Sequence, residues 1–121
     1  DEIATVCSAI GNHDESTAFP VNAVAAALIL ADKTDVRRTR VRNRDKATFD
    51  IHDRVNYAVE KASTTLDAAG KAVVLDLQLD TGMSPVIDYF EIFLERMLLC
   101  RKAAEKLGLS FRLVVNGQTV L

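Results

Sequence analysis

The sequence predicts an α+β protein, helical in its first half and sheet-bearing in its second. Three observations predict it. Apolar residues recur at three- and four-residue spacing through residues 3–62, they alternate strictly between Val73 and Leu79, and the helical period returns over residues 86–107. The expected organisation is a partial helical bundle over 1–66. A β-α-β-β unit then spans 67–121, with a long helix packed on a small antiparallel sheet. With 121 residues, 49% of them hydrophobic, the chain can build one modest core or two small lobes sharing one, and is too apolar for disorder.

The first helix is expected to place Ile3, Val6, Cys7 and Ile10 on one face and to stop at Gly11-Asn12. After a loop, Pro20 fits the first turn of a second helix, in which Val21, Val24, Ala25, Leu28 and Asp32 form one stripe. That stripe puts Asp32 on the core-facing side. Asp50 reads as the N-cap of a third helix carrying Val55, Tyr57, Ala58, Val59 and Ala62. Beyond Asp67-Ala-Ala-Gly70, the alternation of Val73, Leu75, Leu77 and Leu79 with Asp76, Gln78 and Asp80 predicts a strand with one wet face. Ser84 reads as the cap of the long helix, which carries apolar residues at 86, 90, 93, 97, 100, 104 and 107 and ends at Gly108. The closing "FRLVVNGQTVL" is a strand, an Asn116-Gly117 two-residue turn and a short returning strand.

The formal charge of -2 conceals a local device. Seven cations (Lys33, Arg37, Arg38, Arg40, Arg42, Arg44, Lys46) stand against Asp35 and Asp45 in one stretch, leaving the remainder acidic. Cys7 and Cys100 lie in apolar helical patterns with no CxxC spacing, as expected of buried free thiols in a cytoplasmic protein. No apolar run reaches the roughly 18 to 20 residues of a membrane span, so no membrane partner is expected. The chain opens "DEIATVCSAIGNHDE", without methionine and already inside a helix, which is expected of a fragment or a processed product.

Asp32 is the most informative position, because a carboxylate on an apolar stripe is costly unless paired, hydrogen-bonded or bound to metal. An ion pair with Lys33 or Arg37 is the structural alternative to a metal. His13, at a helix end and followed by two acids, is a second candidate for metal or phosphate, and the two residues lie on consecutive helices that can bring them to one point. The arginine run reads either as a solvated or intersubunit salt-bridged face or as phosphate contacts, since guanidinium matches phosphate bidentately. Aromatics make up only 6% of the chain, with no tryptophan, and none interleaves with the arginines, which argues against nucleic acid.

The segments "AIGNHDE", "PVNAVAAALILADKTDVRRTRVRN" and "DIHDRVNYAVEKA" resemble the C-terminal part of an HD-domain metal-dependent phosphohydrolase. In that superfamily a helical bundle holds metal through a histidine, a His-Asp doublet and a late aspartate that closes an apolar helix as "hhhADxxD". The run "LILADKTD" matches that signature. "DYFEIFLERMLLCRKAAEKLG" with "FRLVVNGQTVL" is similar to the C-terminal α+β extension of an uncharacterised bacterial subgroup. The resemblance implies that Asp32 is the terminal ligand of a divalent metal (Mn, Mg, Fe, Co or Ni) and that His13 faces a second metal or the phosphate. Lys33 and Arg37 would contact phosphate oxygens of a phosphomonoester or nucleotide. The metal would lower the pKa of a bound water and offset charge on the phosphate. The first ligand histidine and the doublet would precede Asp1, so this chain alone is expected to lack a complete catalytic set and activity, and a homodimer is one way to complete or cover it.

His52-Asp53 spells the doublet but follows the late aspartate, and Asp53 fits position N3 of a capping box instead. "DTG" at residues 80–82 reads as a strand-to-helix turn. There is no GxSxG, Walker-type loop, GxGxxG or Cys/His zinc cluster. The rival expectation is a non-catalytic dimerisation or regulatory interaction module built on the β-α-β-β half.

Overall fold

The computed structural model describes residues 1–13, 18–36, 38, 41 and 45–121, and its architecture is α+β. Two helices, α1 (Glu2–Gly11) and α2 (Ala23–Lys33), are followed by a 3-10 turn at Lys46–Thr48 and by the short α3 (Ile51–Tyr57). Strands β1 (Val59–Asp67) and β2 (Ala72–Leu79), the long α4 (Val86–Lys106), and strands β3 (Ser110–Val115) and β4 (Gln118–Thr119) complete the chain.

Helix α3 starts where Asp50 accepts from the Asp53 N–H (2.8 Å) while Asp53 accepts from the Asp50 N–H (3.4 Å), a reciprocal capping box. It ends at Tyr57, earlier than the periodicity predicts. Val59 and Ala62 belong to β1, which pairs antiparallel with β2, so the sheet begins at Val59 and not after residue 66. The sheet is mixed rather than antiparallel. Strand β3 lies parallel to β2, with Val73 opposite Phe111, Leu75 opposite Leu113 and Leu77 opposite Val115, because α4 carries the chain back across the sheet between them. The strand order is β1-β2-β3-β4.

Helix α4 covers one sheet face. Its Tyr89, Phe93, Met97, Cys100, Ala103 and Ala104 are buried against the inward residues of β2 and β3, while Asp76, Gln78 and Arg112 point to water. The helix closes in a Schellman motif. The Leu109 N–H reaches the Ala104 carbonyl (2.9 Å), the Gly108 N–H reaches Glu105 (3.0 Å), and Gly108 takes the left-handed φ of 74°. Ser84 does not cap it: Pro85 is the N-cap, no side chain bonds the first turn, and the Ser84 hydroxyl is buried without a hydrogen-bond partner among the described residues. Burial holds the Tyr89 phenol well above its ordinary pKa, with Arg96 pulling the other way.

The β3–β4 hairpin turns through Asn116 (φ 49°) and Gly117 (φ 83°), as the dipeptide predicts. The Asn116 amide also bonds both main-chain groups of Leu79, donating to its carbonyl (3.2 Å) and accepting from its N–H (2.8 Å). Helix α2 packs on α4, and Ala26, Ile29 and Leu30 join the core built by the strands, so the helical half and the sheet share one interior. Among the described residues, no helix is long and apolar enough to cross a membrane.

Candidate functional site

Helix α2 starts where the Asn22 side chain accepts from the Ala25 N–H (2.8 Å). The sequence "AVAAALILADK" is apolar nearly all round, so its core face is chosen by packing rather than by period. The structure turns Ala25, Ala26, Ile29, Leu30 and Lys33 inward. The stripe expected from sequence is displaced by one residue: Val21 and Val24 are exposed, and Asp32 lies at the margin instead of the core. Lys33 takes the buried position, 5% exposed, and its Nζ meets Asp32 Oδ2 at 2.7 Å. Both charges stand in the last turn, where the helix dipole favours a cation, so Lys33 offsets what the carboxylate alone would cost. Thr34 closes the turn, its hydroxyl donating to the Leu30 carbonyl (2.6 Å).

His13 follows the end of α1. Its Nδ1 bonds the Ile10 carbonyl. A carbonyl can only accept, so Nδ1 is the donor in this bond. The chain then returns through a bond from the Phe19 N–H to the Asn12 carbonyl (3.0 Å), which leaves His13 at the loop entering α2. Asp32 is in the last turn of that helix. Asp32 and Lys33 are thus brought together, while the His13 ring bonds the Ile10 carbonyl. Among the described residues there is no cluster of three or more His, Cys, Asp or Glu placed to hold a metal, and by themselves they do not make a metal site.

Arg37, Arg40, Arg42 and Arg44 lie outside the described residues. Arg38 is described. Its guanidinium stacks 4.4 Å from the centroid of the Tyr57 ring, and Phe49 packs against the same ring at 5.5 Å and 59°. Its Nε is buried with no acceptor among the described residues. Sequence reasoning passed over Arg38 in favour of Arg37, and nothing in the linear pattern links Arg38 to an aromatic residue on α3.

Asp53 belongs to the capping box, as expected, and the His52 carbonyl accepts from Asn56 (2.9 Å). "DTG" forms the turn out of β2, with Asp80 Oδ1 accepting from the Gly82 N–H (3.0 Å) and the Asp80 carbonyl accepting from Met83 and Ser84. Cys100 is buried, as expected of a free thiol, whereas Cys7 is exposed. On α1 the expected inward face is outward: Ile3, Val6 and Ile10 are exposed and only Ala9 is buried. No family model, curated protein or solved structure matches the chain.

Proposed function

We propose that this chain carries part of the metal- and phosphate-binding site of an HD-type, divalent-metal-dependent phosphohydrolase acting on a phosphomonoester or nucleotide. The observation that carries the reading is the charge pair closing α2. A carboxylate stands at the helix end named by the "hhhADxxD" signature, part-exposed and fixed by an ammonium held in the core. Asp32 serves as the late metal ligand. Lys33, buried and bonded to it, acts as the positioning residue rather than as a free phosphate contact. His13, its Nδ1 donating to the Ile10 carbonyl, serves a separate metal or phosphate position. The remaining ligands come from residues beyond those described, so the metal's chemistry belongs to the completed site.

Metal analysis of the natural full-length protein, equilibrated with Mn²⁺, tests this. The Asp32→Asn variant is expected to lose bound metal while its circular dichroism is unchanged; full retention of metal removes Asp32 from the site and overturns the reading.

One observation favours the second reading, an interaction module: Ile3, Val6 and Ile10 on α1 and Val24 on α2 present apolar side chains to solvent. On that reading Val6→Glu shifts a concentration-dependent sedimentation coefficient toward the monomer value. On the phosphohydrolase reading it leaves metal content unchanged.

A further inference from the structure

Strand β1 forms one edge of the sheet, and among the described residues only β2 pairs with it. A bare edge is a row of unpaired main-chain donors and acceptors, a template for another strand. The opposite edge, β4, is two residues long, whereas β1 runs for nine. An irregularity between Val59 and Lys61 sets Glu60 apart and leaves residues 61–67 as a regular stretch centred on Thr64. Pairing with β2 assigns its faces: Ala62, Thr64 and Leu66 stand opposite the core residues Leu77, Leu75 and Val73, yet Leu66 is 66% exposed. Helix α4 packs on β2 and β3, so the helix-covered side of the sheet is left open at β1. Lys61, Ser63, Thr65 and Asp67 take the other side, with Lys61 exposed and Asp67 accepting the Gly70 N–H through one carboxylate oxygen (3.0 Å).

We infer that β1 is a self-association edge, on which a second copy of this chain adds its own β1 antiparallel and doubles the four-stranded sheet across a two-fold axis. Such a two-fold keeps like faces together, so odd-numbered residues meet odd and even meet even. The register that overlaps the whole regular stretch puts Thr64 on the axis. It sets Lys61 against the partner's Asp67 and Ala62 against the partner's Leu66, and the axis repeats both pairs, so opposite charges and apolar side chains match on both sides of the centre. Moving residue 63 or residue 65 onto the axis sets Asp67 against the partner's Val59 or the partner's Ser63, and the charge pair is lost. A lysine and a bulge usually guard an edge against pairing. Here the lysine meets a carboxylate, and the bulge lies outside the overlap. The inference rests on β1 alone and is independent of the metal reading of Asp32.

Sedimentation velocity of the natural full-length protein over a concentration series tests the inference. The wild-type protein is expected to dimerise reversibly. Lys61→Glu sets like charges against each other on both sides of the axis and should weaken the dimer by at least ~tenfold, with circular dichroism unchanged. Adding Asp67→Lys to that variant restores opposite charges and should recover affinity. The register has its own readout: Thr64→Cys in a Cys7→Ser background should be joined into a dimer by a short bis-maleimide, whereas Arg112→Cys, two strands away on β3, should not. A wild-type protein that stays monomeric, a dimer indifferent to Lys61→Glu, a folded double variant no tighter than Lys61→Glu, or Thr64→Cys that does not cross-link overturns the inference. A dimer dissociated by Val6→Glu but not by Lys61→Glu moves the contact to α1 and overturns it too. None of these outcomes measures bound metal, so failure here leaves the Asp32 assignment standing, and loss of that assignment leaves the β1 edge untouched.

Discussion

At the scale of single residues, the Asp32–Lys33 pair sets the local energetics. Removing the carboxylate in Asp32→Ala leaves an ammonium in the core without that partner, and should lower stability by about 1–2 kcal/mol, the range for a lost hydrogen bond to a charged group at a part-exposed site. Lys33→Met keeps the buried stem and removes the ammonium, while Asp32 regains water, so its loss should stay under about 1 kcal/mol. Urea midpoints at unchanged m-value check both. The sequence singled out Asp32 as an anomaly but placed it one position too far inward. An apolar run such as "AVAAALILADK" has no polar face to orient it, and only the packing of α2 on α4 chooses which residues turn in. Tyr89 supplies a pH test. Its folded pKa is raised by burial, so the folded state favours the neutral phenol. Its contribution is intact below the ordinary phenol value of about 10 and is lost as pH rises above it, when the unfolded chain ionises and the folded one does not. Tyr89→Phe should flatten that alkaline decline, because it removes the ionising hydroxyl, at the loss of a 4.0 Å contact with the Met97 sulfur.

At the scale of elements, the sequence was most readable where one face of an element is wet. Strand β2 alternates cleanly, and α4 buries Phe93, Met97, Cys100 and Ala104 of its expected stripe, with Tyr89 rather than Phe90 turned fully inward, because each element buries one side only. Strand β1 was read as helix for the opposite reason. As the edge of the sheet, it exposes most of "VEKASTTLD" on both faces, so no alternation betrays it, and its identity comes from pairing with β2. The capping box of α3 and the Asn116-Gly117 turn were legible because they are local. The bonds from the Asn116 amide to Leu79 were not, because they join residues far apart in sequence. Ser84 separates the two kinds of reasoning. Had it capped α4, Ser84→Ala would cost about 1 kcal/mol. With its hydroxyl buried and unpartnered, the substitution should be neutral or stabilising, as read from the thermal midpoint.

At the scale of the whole molecule, one core joins the helical half to the sheet. The C-terminal end of α2 is therefore held by α4 and, through it, by β2 and β3. That coupling packs the end of α2 against the core, and it explains why the fold class was legible while the side-chain neighbours of Asp32 were not. Helix and strand periods are written along the chain, but a ligand set is written across it, and among the described residues the carboxylate of Asp32 is joined to its buried lysine without a cluster of three or more ligating side chains. The Mn²⁺-dependent turnover of a phosphomonoester by the natural full-length protein, wild type against Asp32→Asn, is the direct measure of the proposed activity. The proposed role of Asp32 predicts a fall of at least ~100-fold, since even groups that only orient metal ligands cost 10–100-fold when replaced. Turnover at the wild-type rate in a folded Asp32→Asn protein would contradict it.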